Sequence, residues 1–189
     1  MPRKPDPTIR PTILRKVVEH LRHTRLEDVS VRSLGRVLGT SAYPIVYHFG
    51  SRDALVDAVV EHLSATDADL DPDASECALA DHFVRVFGGL DDPDRALAAR
   101  LAFELGSVES LVGADRHRTW HREQIAVIAA WCRAHGYGAC GAERAARTAV
   151  LTARGAQWDA VVDRDGSDTD RVLRGIAEQL SAPARAAVA

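Results

Sequence analysis

The sequence predicts an all-α protein, and two observations carry that reading. Apolar residues recur at spacings of three and four in nearly every segment, and no stretch alternates apolar and polar residues as a half-buried strand would. The breaks between the periodic segments fall at glycine, proline and clustered acidic residues, which divides the chain into about nine helices.

The first helix is expected from Pro11 to His23, with Ile13, Leu14, Val17, Val18 and Leu21 on one face and Pro11 tolerated in the first turn. Ser30 suits the N-cap of a second helix carrying Val31, Leu34, Val37 and Leu38, and Gly39 stops it. Ser41 then caps a third, very short helix that ends near Phe49. Ser51 caps a fourth, with Leu55, Ala58, Val59 and Leu63 facing inward and Asp53 favourably placed in its first turn. The acidic run Asp67 to Ser75 reads as a loop. Beyond it helices are expected near 75–88, 93–106, 115–135, 142–163 and 168–181, with an extra turn at 107–112 and a frayed Ala-rich tail after Pro183.

At 189 residues, 46% hydrophobic and 27% charged, the chain can bury a sizeable core. No apolar run approaches membrane-spanning length and the N-terminus lacks a signal-peptide core, so the expectation is a cytoplasmic protein with no membrane partner. Cys77, Cys132 and Cys140 match no common zinc spacing and read as ordinary thiols in a reducing compartment. Net charge is −3, unevenly spread: +3 over residues 1–63 and −6 over the rest, so a polyanionic partner would meet the first third.

A helix ending at Gly39, a turn of about three residues and a short helix capped by Ser41 make a helix-turn-helix, with Leu34, Leu38, Ile45 and Phe49 packed beneath the second helix. A helix held outward in this way can enter a major groove. The stretch Tyr43 to Phe49 concentrates two Tyr, a His and a Phe in a chain that is only 5% aromatic, which divides the rings between anchoring the helix and facing a partner.

Residues 10–63 resemble the DNA-binding domain of the TetR family of bacterial transcriptional regulators. The likeness runs through Ile13-Leu14, Ser30-Val31, Leu34-Gly35 and Gly39-Thr40-Ser41 to His48-Phe49, Ser51-Arg52 and Ala54-Leu55. It implies a three-helix DNA-binding domain at 1–50, a connecting helix four at 51–66 and an effector-binding and dimerisation domain at 67–189. On this likeness Ala42, Tyr43 and Tyr47 are expected at bases or sugars, and Ser30, Thr40, Ser41, His48 and Arg52 at phosphates or in support of those contacts. Arg32 and Arg36, with Lys16, could add backbone contacts. The chain departs from the family at Val46, where a phosphate-touching Tyr is usual, and Tyr47 is placed to take over part of that contact. It departs again at Tyr43-Pro44, so base preference is not inherited. Arg52 stands where Lys is common and keeps the charge.

The resemblance implies partners as well: a palindromic double-stranded operator, a second copy of the chain, and a small-molecule effector of unknown identity that shifts helix four and releases the DNA, the usual outcome being repression. The small residues Ala145, Ala149, Ala153 and Ala156 on the eighth helix, and Leu173, Ile176 and Leu180 on the ninth, could form the dimer interface, or could pack within one subunit. Trp120, Gln124, Ile128 and Trp131 share a helical face, and Phe83, Phe87, Phe103, Glu104 and Trp158 could complete a pocket wall with them, each ring having plain core as its alternative. His117 and His121 stand at metal-binding spacing, but the flanking Arg116, Arg118 and Arg122 repel a cation. They are therefore expected as ordinary polar or pocket-lining histidines, with no metal and no cofactor.

Two other readings stay open. One is a DNA-binding dimer without an effector, governed by a protein partner or by oxidation of Cys132 or Cys140. The other is an enzyme using Glu104 with His117 or His121, for which no nucleophile, base and orienting group stand at a characteristic spacing, so no catalytic residue is assigned.

Overall fold

The computed structural model describes residues 8–39, 41, 43–63, 69–113, 115–163 and 168–188. Among them the protein is all-helical: α1 (Ile9–Leu21), a 3-10 turn at Leu26–Asp28, α2 (Val31–Leu38), α3 (Tyr43–Phe49), α4 (Arg52–Leu63), α5 (Glu76–Phe87), α6 (Pro93–Val112), α7 (Arg116–Ala134), α8 (Ala139–Val162) and α9 (Thr169–Val188). They form two compact units, Met1–Ala65 and Thr66–Ala189.

In the first unit the caps do what the sequence suggests. Ser30 accepts from the Ser33 amide at 3.0 Å while the Ser33 hydroxyl accepts from the Ser30 amide at 2.8 Å, a capping box with Ser in place of the usual Glu. Gly39 ends α2 at φ 68°, a left-handed turn that any Cβ would strain. The Ser41 hydroxyl accepts from the Tyr43 amide and the Ser51 hydroxyl from the Ala54 amide, so each serine starts the helix after it. Val17 and Leu21 of α1, Leu34 of α2, Ile45 of α3, and Leu55 and Val59 of α4 are fully buried, one core made by four short helices. None of these helices is long enough to be stable alone, so this shared burial is what holds them.

In the second unit α5, α7, α8 and α9 surround a core of Leu79, Phe83, Phe87, Ile128, Trp131, Val150 and Leu173, and α6 packs on α7 and α8. Buried polar groups stitch the loops to it: Trp131 Nε1 donates to the Ala74 carbonyl at 2.7 Å, and the Tyr137 hydroxyl to that of Leu180 at 2.8 Å. Gly88 lies where a Cβ would come within 2.3 Å of Asp170 Oδ1 and 2.9 Å of Leu173 Cδ1. A side chain here would have to displace Asp170, whose Oδ1 accepts from the Gly89 amide at 2.8 Å.

Three boundaries differ from the sequence reading. The turn at 107–112 is part of a single α6, because Gly106 lowers helix propensity without breaking the ladder. Helix α8 begins at Ala139, with Gly138 as its N-cap, so the glycine-rich HGYGACG stretch contains the helix start. Helix α9 continues past Pro183 to Val188: Pro183 removes one backbone hydrogen bond, and the alanines around it are the best helix formers.

The stripes proposed for a dimer interface also move. Ala149, Ala153, Leu173, Ile176 and Leu180 are buried in the subunit's own core, and Ala145 and Ala156 are half-buried. The faces that α8 and α9 leave open carry Leu151, Trp158 and Val162, and Val172, all about half exposed or more.

Candidate nucleic-acid interface and effector site

Helix α3 is seven residues long and holds on by one fully buried side chain, Ile45, with Pro44, His48 and Phe49 half-buried around it. The opposite face presents Tyr43 (69% exposed), Val46 (50%) and Tyr47 (58%). The Tyr43 and Tyr47 rings stack at 5.8 Å with planes 24° apart, and His48 meets the Tyr47 ring edge-on at 5.0 Å. Tyr47 is thus pre-ordered from both sides, which lowers the entropy a partner must remove to use it. Arg32 and Arg36 are exposed on α2, and Arg10 of α1 lies 5.3 Å over the Phe49 ring. Thr40 and Ala42 lie outside the described residues.

Four of the predicted contact residues already have work inside the protein. The hydroxyls of Ser30 and Ser41 serve the caps described above, though both residues are exposed. Arg52 donates through Nε to the Val29 carbonyl at 2.6 Å and through Nη2 to that of Leu26, and Nη1 pairs with Asp53 at 2.8 Å. It therefore clasps the start of α4 to the turn before α2, fixing the platform on which α3 sits. Lys16 reaches the Leu38 carbonyl at 3.4 Å, at the end of α2. The sequence offers no cue to the Arg52 clasp, because the carbonyls it satisfies are 23 and 26 residues away.

In the second unit the predicted pocket residues separate into two sets. Phe83, Phe87, Ile128 and Trp131 belong to the core, with Trp131 stacked on His135 at 3.9 Å. Trp120, Phe103, Glu104, His117 and His121 are half-buried, and Trp158 is 52% exposed with its ring edge-on to Phe103 at 5.1 Å. His117 is held by Glu109 through both its backbone amide, at 2.9 Å, and Nδ1, at 3.0 Å. Burial raises the Glu109 pKa, but the His117 bonds and charge and the nearby Arg116 outweigh it and hold the carboxyl below its usual value. Glu104 pairs with Arg100 at 3.2 Å. Gln124, buried on the inner face of α7, has an Oε1 with no hydrogen-bond partner among the described residues.

At the centre of the second set is a residue the sequence reading passed over. The guanidinium of Arg154, on α8, lies 4.3 Å over the Trp120 ring, 5.6 Å from Phe103 and 5.9 Å from Phe87. It donates to Gln157 Oε1 at 2.8 Å, and Gln157 in turn donates to the Phe87 carbonyl at 3.2 Å. Burial alone depresses its pKa to about 10, which leaves it charged at neutral pH. His121 is pushed down by burial first and then by Arg154 and Arg147, so its imidazole is neutral there. A cue existed: Val150, Ala153, Arg154 and Gln157 stand at i, i+3, i+4 and i+7, so the periodicity that makes α8 a core helix places an arginine on its inner face.

Separately, an open groove of 740 Å³ runs between α8 and α9, lined by Thr152, Gly155, Ala156, Asp159, Asp168, Thr169, Arg171 and Val172; of the predicted pocket residues, none lines it. Cys132 is buried and its thiol is pushed up to about 11 by that burial, while Cys77 and Cys140 are exposed. Among the described residues no cluster of His, Cys, Asp or Glu could hold a metal ion, and no helix is long and apolar enough to cross a membrane.

No protein-family model matches the chain, and no curated protein sequence matches it significantly. Solved structures do. A transcriptional regulator from Rhodococcus sp. Rha1 superposes with a TM-score of 0.67 at 20% identity, covering 92% of this chain and 96% of that one. The fold is that of the TetR-type transcriptional regulators. BioQ, solved with its natural double-stranded DNA operator, superposes with a TM-score of 0.52 at 23% identity, covering 92% of this chain and 98% of BioQ. The TetR-type fold thus extends over both units, well past the 54-residue stretch that carries the sequence resemblance.

Proposed function

We propose that the chain is a TetR-type regulator that binds a palindromic DNA operator as a dimer through α2 and α3 and is released when a small molecule occupies the second unit. The observation that carries this reading is the outward face of α3, where Tyr43 and Tyr47 are exposed on a helix anchored by the fully buried Ile45. A soluble protein gains nothing from two stacked exposed rings on a seven-residue helix unless a partner covers them. Base edges and sugars suit amphipathic rings, and the exposed Arg32 and Arg36 on the preceding helix suit phosphates. BioQ, which shares the fold, was solved on its operator, in keeping with this assignment.

The dimer is assigned to the open faces of α8 and α9. Leu151, Gly155, Trp158 and Val162 follow one another at spacings of three and four on α8, and Val172 of α9 lines the groove beside Gly155 and Ala156. An exposed tryptophan beside a glycine lets a partner helix approach closely and seals the contact. Two-fold pairing would then present two α3 helices to an inverted repeat. Effector binding acts by differential affinity, and a coupling of about 1–3 kcal/mol changes operator affinity roughly 5- to 150-fold. Control by oxidation of Cys132 gains no support from its environment, since a thiol held protonated is a poor nucleophile. An enzymatic role gains none either: Glu104 is paired with Arg100, and His117 with Glu109.

The test is selection of bound duplexes from a randomised pool, followed by challenge of the complex with a metabolite panel. Enrichment of an inverted repeat, and its release by a member of the panel, is the expected outcome. Recovery of no preferred sequence overturns the DNA-reading assignment, and a repeat that no compound releases overturns the effector assignment.

A further inference from the structure

We infer that the effector is an organic anion, a carboxylate on an apolar body, held by the Arg154 guanidinium. The inference rests on the effector-binding reading above and narrows its chemistry. A guanidinium has five N–H donors in a planar fork. Arg154 donates to Gln157 Oε1 and lies over three aromatic rings, with His121 near enough to feel its charge, and among the described residues no carboxylate pairs with it. Of the acids on α6, Glu104 pairs with Arg100 and Glu109 with His117. A largely enclosed cation without a counter-charge is an uncommon arrangement, because desolvation is uncompensated and rings recover only part of it.

The arrangement also holds the group still. Gln157 fixes one edge of the guanidinium and is itself fixed by the Phe87 carbonyl, and the guanidinium carbon lies 4.3 Å over the Trp120 ring. The remaining donors are thus set for a planar, two-oxygen acceptor, which a carboxylate supplies bidentately. Trp120 and Phe103 give an apolar body something to pack on. One turn along α7 from Trp120, the orphan Gln124 Oε1 offers an acceptor for a hydroxyl or N–H elsewhere on the ligand. Arg147 also acts on His121, but it is exposed and paired with Glu143 at 3.2 Å, so the anion is assigned to Arg154.

The experiment compares matched pairs, phenylacetate with phenylacetamide and decanoate with decanamide, by calorimetric titration of the full chain, using wild type, Arg154→Gln and Arg154→Lys. At least one acid is expected to bind wild type about tenfold or more tighter than its own amide, with the preference kept in Arg154→Lys and lost in Arg154→Gln. Equal affinity within both pairs, or no binding by either acid, overturns the proposal, as does a preference that survives Arg154→Gln. If Arg154→Gln does not fold, the acid-to-amide ratio in wild type and Arg154→Lys still decides. A second arm separates this inference from the one it rests on. Acids that bind through Arg154 yet leave duplex affinity unchanged sink the regulatory reading alone. Release of the duplex by neutral compounds, unaffected by Arg154→Gln, sinks the anion alone.

Discussion

In the first unit two tyrosines lie on the solvent side of α3, 69% and 58% exposed, while the one side chain that anchors that helix most deeply is an isoleucine at 0%. In the second unit the rings go inward: Phe83, Phe87 and Trp131 are buried to 1% or less, and a charged guanidinium stands among Phe87, Phe103 and Trp120. Each unit therefore places a group against the ordinary preference for its type. Exposed rings and an enclosed cation both raise the free energy of the isolated chain, and the proposed partners, a nucleic acid for the first and an anion for the second, would relieve both. The contrast teaches where to look for function: at the residue whose environment opposes its chemistry, rather than at the residue type alone.

The largest effect is expected from removing the inward side of α3. Ile45→Ala should destabilise the first unit by about 2–5 kcal/mol, since its cavity would open among short helices that hold together only by sharing a core. Urea unfolding followed by circular dichroism should show an early transition for that unit with the second unit's transition unmoved.

A somewhat smaller effect comes from the second unit's burial of an ionisable ring. His82 is fully buried on α5, Arg85 approaches its Nδ1 at 3.4 Å, and burial, reinforced by Arg85, pushes its pKa down to about 4. The folded state thus refuses a proton that the unfolded chain accepts near its ordinary value. Stability from this site is fully present above about pH 6.5 and is lost as pH falls toward 4, with an upper bound on the order of 3 kcal/mol. His82→Leu should flatten the fall in urea midpoint between about pH 7 and pH 4.5, and an unchanged slope would place the acid sensitivity elsewhere.

Much of this was legible in the sequence. Helix periodicity, Ser30 and Gly39 as the ends of α2, and Ser51 as the start of α4 follow from local rules acting within a few residues. What periodicity could not decide was which side of α8 faces the subunit's own core, because a stripe of alanines suits a neighbour in the same chain as well as one in a second copy. The Arg52 clasp and the Arg154 cage were also out of reach as contacts, since each depends on groups brought together by the tertiary fold. Ser30 shows a further limit. Its type at that position suits both capping and phosphate contact, and the reciprocal bonds with Ser33 bear out the first. Ser30→Ala should accordingly cost about 1 kcal/mol of first-unit stability, read by thermal melting. Full stability would mean that the cap contributes little.

The smallest structural change with a functional readout is Tyr47→Phe, which keeps the stack on Tyr43 and removes only the hydroxyl; it should weaken operator affinity by a few-fold without moving the melting temperature. Enlarging that change gives the most direct test of the central claim, that the outward face of α3 reads DNA. The measurement is the affinity of a Tyr43→Ala, Tyr47→Ala double variant for the duplex selected by wild type, with the melting temperature taken alongside. The expected loss is at least about tenfold for that duplex at unchanged melting temperature, because both rings are exposed in the free protein. Affinity and salt dependence equal to wild type would contradict it.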